Sequence, residues 1–352
     1  MSDANHYVWE PSPDLVAQSN LTAFLHATGH ANYDSLAAAA EADPAWLMRE
    51  VFKFCDVRFY KPYDTMLDTS RGEPWARWCA GGTTSIVLNC IDKHRETPVW
   101  DQTFMVWEGE NKAEQRTLSY RELDREVSRL AQGLRDLGIT QGDVVALYMP
   151  NLPETFVAFF AVMKLGAILL PLFSGFGPAP IISRLNHGEA KAVITANGTW
   201  RRGTPAPLKS ILDTALEQAP SVQHVIVVDR GGLSVETPMR AERDHWWHDV
   251  TAGKESYIAT VEMPADAPAI LLYTSGTTGE PKGCVWTQIG FIGSMVTRDI
   301  IICGDFKPTD RFFFMSDMGW MVGAMTACIP SFAGASLLVA EGTPDYPDTG
   351  RF

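Results

Sequence analysis

The chain lacks a run of basic residues, a cysteine pair and an apolar amino-terminal stretch, and each absence removes a class of protein. Its 29 Lys and Arg are outnumbered by 42 Asp and Glu, for a net charge of −13. Nucleic acid or an anionic membrane as the main partner would need clustered positive charge, so neither is expected. A basic pocket can still exist locally. Six cysteines (Cys55, Cys79, Cys90, Cys284, Cys303, Cys328) lie far apart, with no C-x-x-C pair and no zinc-holding spacing, so buried reduced thiols are expected. The first thirty residues are polar and broken by prolines; without the basic start and apolar stretch of a secretory signal, they point to a cytoplasmic protein. No internal repeat is visible.

What is present suits a large layered domain or two ordinary ones: 352 residues with 46% hydrophobic content can fill a core of that size. The run Phe156 to Phe173 is almost as apolar as a membrane span, but Lys164, Gly166 and Pro171 cut it. A buried helix followed by a short buried strand explains it better, because parallel sheets covered on both faces give such continuous apolar runs. Ser119 and Glu122 form a capping-box pattern ahead of Leu123, Val127, Leu130, Leu134 and Leu137 on one helical face, ended by Gly138. Strands at Val144–Met149, Ala167–Leu172 and Ala192–Thr195 then alternate with helices starting at Pro153 and Pro178, which argues a parallel α/β sheet. A second βα series is expected from strands at Val225–Val228 and Ala269–Tyr273, with Gly231–Ala265 between them as an irregular connection. The expected fold class is therefore α/β, with layered parallel sheets and flanking helices. The chain divides into residues 1–110 as an extension wrapping the core, 111–250 as a first α/β subdomain, and 251–352 as part of a second.

The chemistry concentrates where the strand at Ala269–Tyr273 ends. Thr274, Ser275, Gly276, Thr277, Thr278, Gly279 and Lys282 place hydroxyls, glycines and a lysine in one short loop. Glycines let backbone N–H groups converge on an anion, hydroxyls donate further hydrogen bonds, and lysine adds charge, so this loop suits phosphate. A Walker A loop needs G-x-x-x-x-G-K-[ST]; here Gly276 is followed by Pro281-Lys282-Gly283, which disfavours a kinase or Walker ATPase. Ligands of open α/β sheets gather at the carboxyl ends of strands, where this loop lies.

The stretch TSGTTGEPKG resembles the phosphate loop of the adenylate-forming superfamily of acyl-CoA synthetases, peptide-synthetase adenylation domains and luciferases. Three further segments, Trp78–Gly82 with Asn89–His94, Val106–Glu110 and Phe173–Gly177, are similar to acetyl- and propionyl-CoA synthetases. This resemblance implies the amino-terminal portion of the adenylate-forming fold, with the loop holding the β- and γ-phosphates of ATP. It places Trp320, Met321 and Val322 in an acyl pocket. The family's short-chain members carry valine and threonine where Met321 and Val322 stand, and histidine at Ala324, so a small apolar acyl group other than acetate is expected. Arg201, before Pro207-Leu208-Lys209, matches an arginine that meets the 3′-phosphate of coenzyme A. The family's second arginine there is Thr204 in this chain, with Arg202 as a substitute. Asp92, His94, His187 and His224 show no partner pattern for catalysis, and no residue is assigned as a metal ligand.

By the same resemblance, the whole enzyme joins a short-chain carboxylate to CoA with ATP and Mg²⁺. The family continues for roughly three hundred further residues. These carry the adenine-stacking segment, the ribose-binding aspartate, the hinge and the carboxyl-terminal domain with its lysine, so no complete catalytic constellation is expected here. An inactive fragment retaining weak nucleotide or partner binding is the alternative, and loading of a carrier-protein thiol is a third reading. Apolar surface left bare where further chain would pack could drive homo-oligomers.

Overall fold

The computed structural model describes residues 9–274 and 281–351. In chain order, the strands of its two main sheets are β1 (Thr103–Glu108), β2 (Gln115–Ser119), β3 (Val144–Tyr148), β4 (Ile168–Leu172), β5 (Ala192–Ala196), β6 (His224–Val228), β7 (Asp244–Trp246), β8 (Pro268–Thr274), β9 (Lys282–Thr287), β10 (Arg311–Phe313) and β11 (Ser336–Ala340). The larger sheet runs β7-β6-β5-β3-β4-β8-β9, parallel from β7 through β8, with β9 antiparallel at its edge. The smaller runs β10-β11-β1-β2, parallel except for β2.

The expected second series does not form a sheet of its own. Both of its strands, β6 and β8, join the sheet that contains β3, because flanking helices leave its two edges free to grow in opposite directions. The smaller sheet pairs β1, from before residue 110, with β11, from after residue 250. The smaller sheet thus draws strands from both sides of residues 110 and 250, and position 250 itself lies inside the short helix Trp247–Thr251. The connection Gly231–Ala265 is also less irregular than expected, since it contains β7 and the short helix Trp247–Thr251.

The helix Tyr120–Asp136 starts with the expected box: Ser119 Oγ accepts from Glu122 N at 3.2 Å, and Ser119 N donates to Glu122 Oε2 at 2.9 Å. Such a cap stabilises by about 1 kcal/mol. Leu123, Val127, Leu130 and Leu134 are buried without exposure, and Gly138 leaves the helix at φ 82°. The apolar run resolves into the helix Pro153–Lys164 and β4. Phe159 and Phe160 meet edge to face at 5.1 Å inside it, each burial contributing about 2 kcal/mol. Among the described residues no helix is long and apolar enough to cross a membrane.

Lys164 ends that helix with no exposed surface, reaching Asp124 at 3.2 Å and Asp92 at 3.6 Å. A buried ammonium is tolerable only with such partners. Arg95 adds a second cation on Asp124 at 2.5 Å, so two carboxylates and two cations close the cluster. The amino-terminal helices dock on the segment near residue 300, where Asn20 donates its backbone N–H to Asp305 Oδ1 and its Nδ2 to the Ile301 carbonyl, both at 2.7 Å. Four cysteines are buried and free as expected, but Cys284 and Cys303 are exposed; β9 is an edge strand and presents Cys284 to solvent.

Candidate active site

The larger sheet reverses its order at β3: β4 lies on one side of it and β5 on the other. Crevices form at such switch points because the connections leave β3's neighbours in opposite directions. Here a cavity of about 320 Å³ opens at the carboxyl ends of five strands from both sheets. Pro150 and Asn151 follow β3, Phe173 and Ser174 follow β4, and Thr199–Arg201 follow β5. From the smaller sheet come Met315–Asp317 after β10 and Gly342–Pro344 after β11.

Asn151 ties the two sheets together at this point. Its carbonyl accepts from Trp107 Nε1 of β1 at 2.8 Å, and its side-chain amide donates to the Ser316 carbonyl at 2.9 Å. The loop from β10 then crosses directly over the end of β4. A Cβ on Gly319 would stand 2.1 Å from the backbone nitrogen of Phe173, so this close approach requires glycine. The approach lets Asp317 accept from Ser174 twice over, from its N–H at 3.3 Å and from its hydroxyl at 2.5 Å, and from Gly319 N at 2.8 Å. Burial pushes the Asp317 carboxyl up, against these hydrogen bonds and the nearby Arg201 charge. Tyr148, whose hydroxyl donates to the Phe176 carbonyl at 2.9 Å, is pushed up to about 12, chiefly by burial.

Arg201 reaches the cavity on a two-residue hairpin. The strands Thr199–Arg201 and Thr204–Ala206 pair antiparallel, and the turn residues Arg202 and Gly203 have φ of 51° and 73°. Two successive positive φ values are the mirror-image turn whose twist matches a hairpin. Arg202 is not a residue that favours this region, and the turn is held from outside: Glu110, 4% exposed, accepts from the N–H of Arg202 and of Gly203, each at 2.8 Å. Beyond it, Arg230 pairs with Glu341 at 2.6 Å and with Glu114, bracing the ends of β6 and β11.

The structure thus brings Arg201 together with Asp317 and Ser174. Trp320 packs on Phe173 with ring centroids 5.8 Å apart, and it caps the helix Met321–Ala333, of which Val322 is the second residue. Trp320 and Met321 are exposed at 53% and 39% and, like Val322, are not among the residues lining the cavity. Thr274 ends β8 and Lys282 opens β9, directly paired across the hairpin. Ser275, Gly276, Thr277, Thr278 and Gly279 lie outside the described residues. His187, 2.7 Å from the Tyr273 hydroxyl, and His224, 3.2 Å from His245, have partners that spacing did not disclose. Sequence reasoning left Ser174, Asp317, Glu110 and Glu341 without roles. The signal available was slight: a buried carboxylate in a loop after a strand looks like any solvated one until its partners, from distant segments, are known.

Comparisons with known proteins bear on the family and the fold. The model of the family described as AMP-binding enzyme matches residues 92–352, and that described as acetyl-coenzyme A synthetase N-terminus matches residues 33–90. An acetyl-coenzyme A synthetase of Rhodopirellula baltica is 38% identical over 91% of the chain and 48% of its own length. One from Streptomyces coelicolor is 36% identical over 97% of the chain and 50% of its length. Among solved structures, the acetoacetyl-CoA synthetase from Streptomyces lividans superposes with a TM-score of 0.87 at 27% identity, covering 97% of this chain and 52% of that one. The chain spans about half the length of the curated relatives it matches. It belongs to the AMP-binding enzyme family, on the acetyl-coenzyme A synthetase-like branch.

Proposed function

We propose that the chain is part of an acid–thiol ligase that adenylates a short-chain carboxylate with ATP and passes the acyl group to coenzyme A. A carboxylate is a poor acyl donor because oxide would have to leave. Attack of its oxygen on the α-phosphorus of ATP expels pyrophosphate and gives the acyl adenylate, from which a thiol then displaces AMP. Positioning and charge neutralisation are the protein's share of such chemistry. The observation that supports the reading is that Thr274, paired with Lys282 across β8 and β9, and Arg201, at the cavity between the sheets, both lie at or just after carboxyl ends of strands of one sheet.

In this reading Thr274 through Gly279 and Lys282 take the ATP phosphates, Arg201 takes the 3′-phosphate of CoA, and Trp320, Met321 and Val322 bound the acyl group. Trp320 and Met321 are exposed and thus accessible to an acyl group. Mg²⁺ accompanies the nucleotide in such enzymes, but among the described residues no group of three His, Cys, Asp or Glu converges to hold a metal ion. The reading includes a cytoplasmic setting, and excludes nucleic acid as a partner on the charge balance.

The test is carboxylate-dependent exchange of labelled pyrophosphate into ATP by the purified chain, run beside equilibrium dialysis of ATP. Acetate, propionate, butyrate and acetoacetate are supplied in competition. Exchange led by an acid other than acetate supports the adenylation reading and the apolar pocket; a lead by acetate sinks the pocket. ATP bound without exchange favours the second reading, a binding-competent but inactive portion, for which the chain's coverage of half its relatives speaks. Neither binding nor exchange overturns both.

A further inference from the structure

Arg201 and Asp317 share one cavity, yet among the described residues Arg201 forms no ion pair. Ser174 stands between them. Arg201 Nη2 donates to Ser174 Oγ at 3.2 Å, and that hydroxyl donates to Asp317 Oδ2 at 2.5 Å. The hydroxyl proton is committed to the carboxylate, which leaves the oxygen's lone pairs facing the guanidinium. Ser174 is 7% exposed, and its backbone N–H is also held by Asp317, so the oxygen's position is fixed from two sides. Arg201 itself is exposed at the rim.

A direct Arg201–Asp317 pair would satisfy the guanidinium fork with a carboxylate and leave little of it for a ligand. The hydroxyl bridge holds one nitrogen and leaves the other donors and the full positive charge outward. We propose that Ser174, anchored by Asp317, is the positioning residue that aims Arg201 at a phosphate monoester of the incoming nucleotide. The proposal rests on the reading of Arg201 as the contact to the 3′-phosphate of CoA.

CoA and dephospho-CoA differ by that phosphate alone, and their affinities for the 352-residue chain are measured by calorimetry. The unaltered chain is expected to prefer CoA by about tenfold, the scale of one charge-assisted bidentate contact. Arg201→Ala abolishes the preference. Ser174→Ala removes most of it while the dephospho-CoA affinity stays put, and Ser174→Thr, which keeps the hydroxyl, retains it. A Ser174→Ala chain with its preference intact, beside an Arg201→Ala chain without one, overturns the role of Ser174 and leaves the CoA reading standing. Equal loss for both ligands in Ser174→Ala, or a threonine variant that behaves like alanine, also overturns the positioning role. An unaltered chain with no preference overturns the CoA reading and the positioning role together.

Discussion

Asp317 illustrates how little a residue's type says about its state. Its neighbours in sequence include Ser316, Gly319 and an exposed tryptophan, but the crossing over β4 removes its carboxyl from water and pushes its pKa up. A carboxyl raised in the fold contributes stability that is fully present below its unfolded pKa of about 3.9 and is lost as pH rises through the folded value. Asp317→Asn cannot ionise. The stability of the unaltered chain minus that of Asp317→Asn is therefore expected to fall as pH rises from about 4 toward 7, read from urea-unfolding midpoints at each pH. A flat difference would mean that the hydrogen bonds from Ser174 and Gly319 fully offset burial. The glycine that permits this contact was visible in the sequence, whereas its reason, the backbone of Phe173 at 2.1 Å from any added Cβ, was not.

Among elements, those with strong periodicity were legible and those held by distant partners were not. The helix Tyr120–Asp136 announced itself through its box, its leucine stripe and Gly138, all within 20 residues of one another. The helix Pro153–Lys164 was legible as buried, but Lys164 read as a break in an apolar run. In the fold it joins helix to helix through Asp124 and reaches Asp92, while Thr260 accepts from it at 3.3 Å. Lys164→Met is expected to cost about 3 kcal/mol, because the two carboxylates keep their burial and lose a cation; a lower urea midpoint measures it. Arg121→Ala breaks a pair with Asp101 in which both side chains are more than half exposed, and should leave that midpoint unchanged. The Thr199–Ala206 hairpin was invisible, since Arg202 at positive φ depends on Glu110, about ninety positions away in the chain.

For the whole molecule, the two sheets are interleaved in sequence, and their strand ends meet only because Asn151, Trp107 and the loop before Asp317 hold them together. Val285 on the edge strand β9, Phe314 and Trp320 remain exposed at 57%, 52% and 53%. Apolar surface of this kind favours association, so sedimentation at rising concentration is expected to show a shift toward dimer that Val285→Lys weakens, charge being a common block to edge pairing. A monomer at every concentration would show that these side chains are too scattered to associate. Local order determined what could be read in advance: periodicity, caps and the glycine-rich stretch after a strand are set by residues a few positions apart, and they sufficed for the α/β class, the helices and strands around residues 119–196, and the family. Tertiary structure alone decided which sheet each strand joined and which side chains share the cavity. It also decided that Arg201 donates to a serine and makes no ion pair with Asp317, because the serine's own partner, Asp317, comes from a segment 143 residues away, a contact for which no short pattern exists.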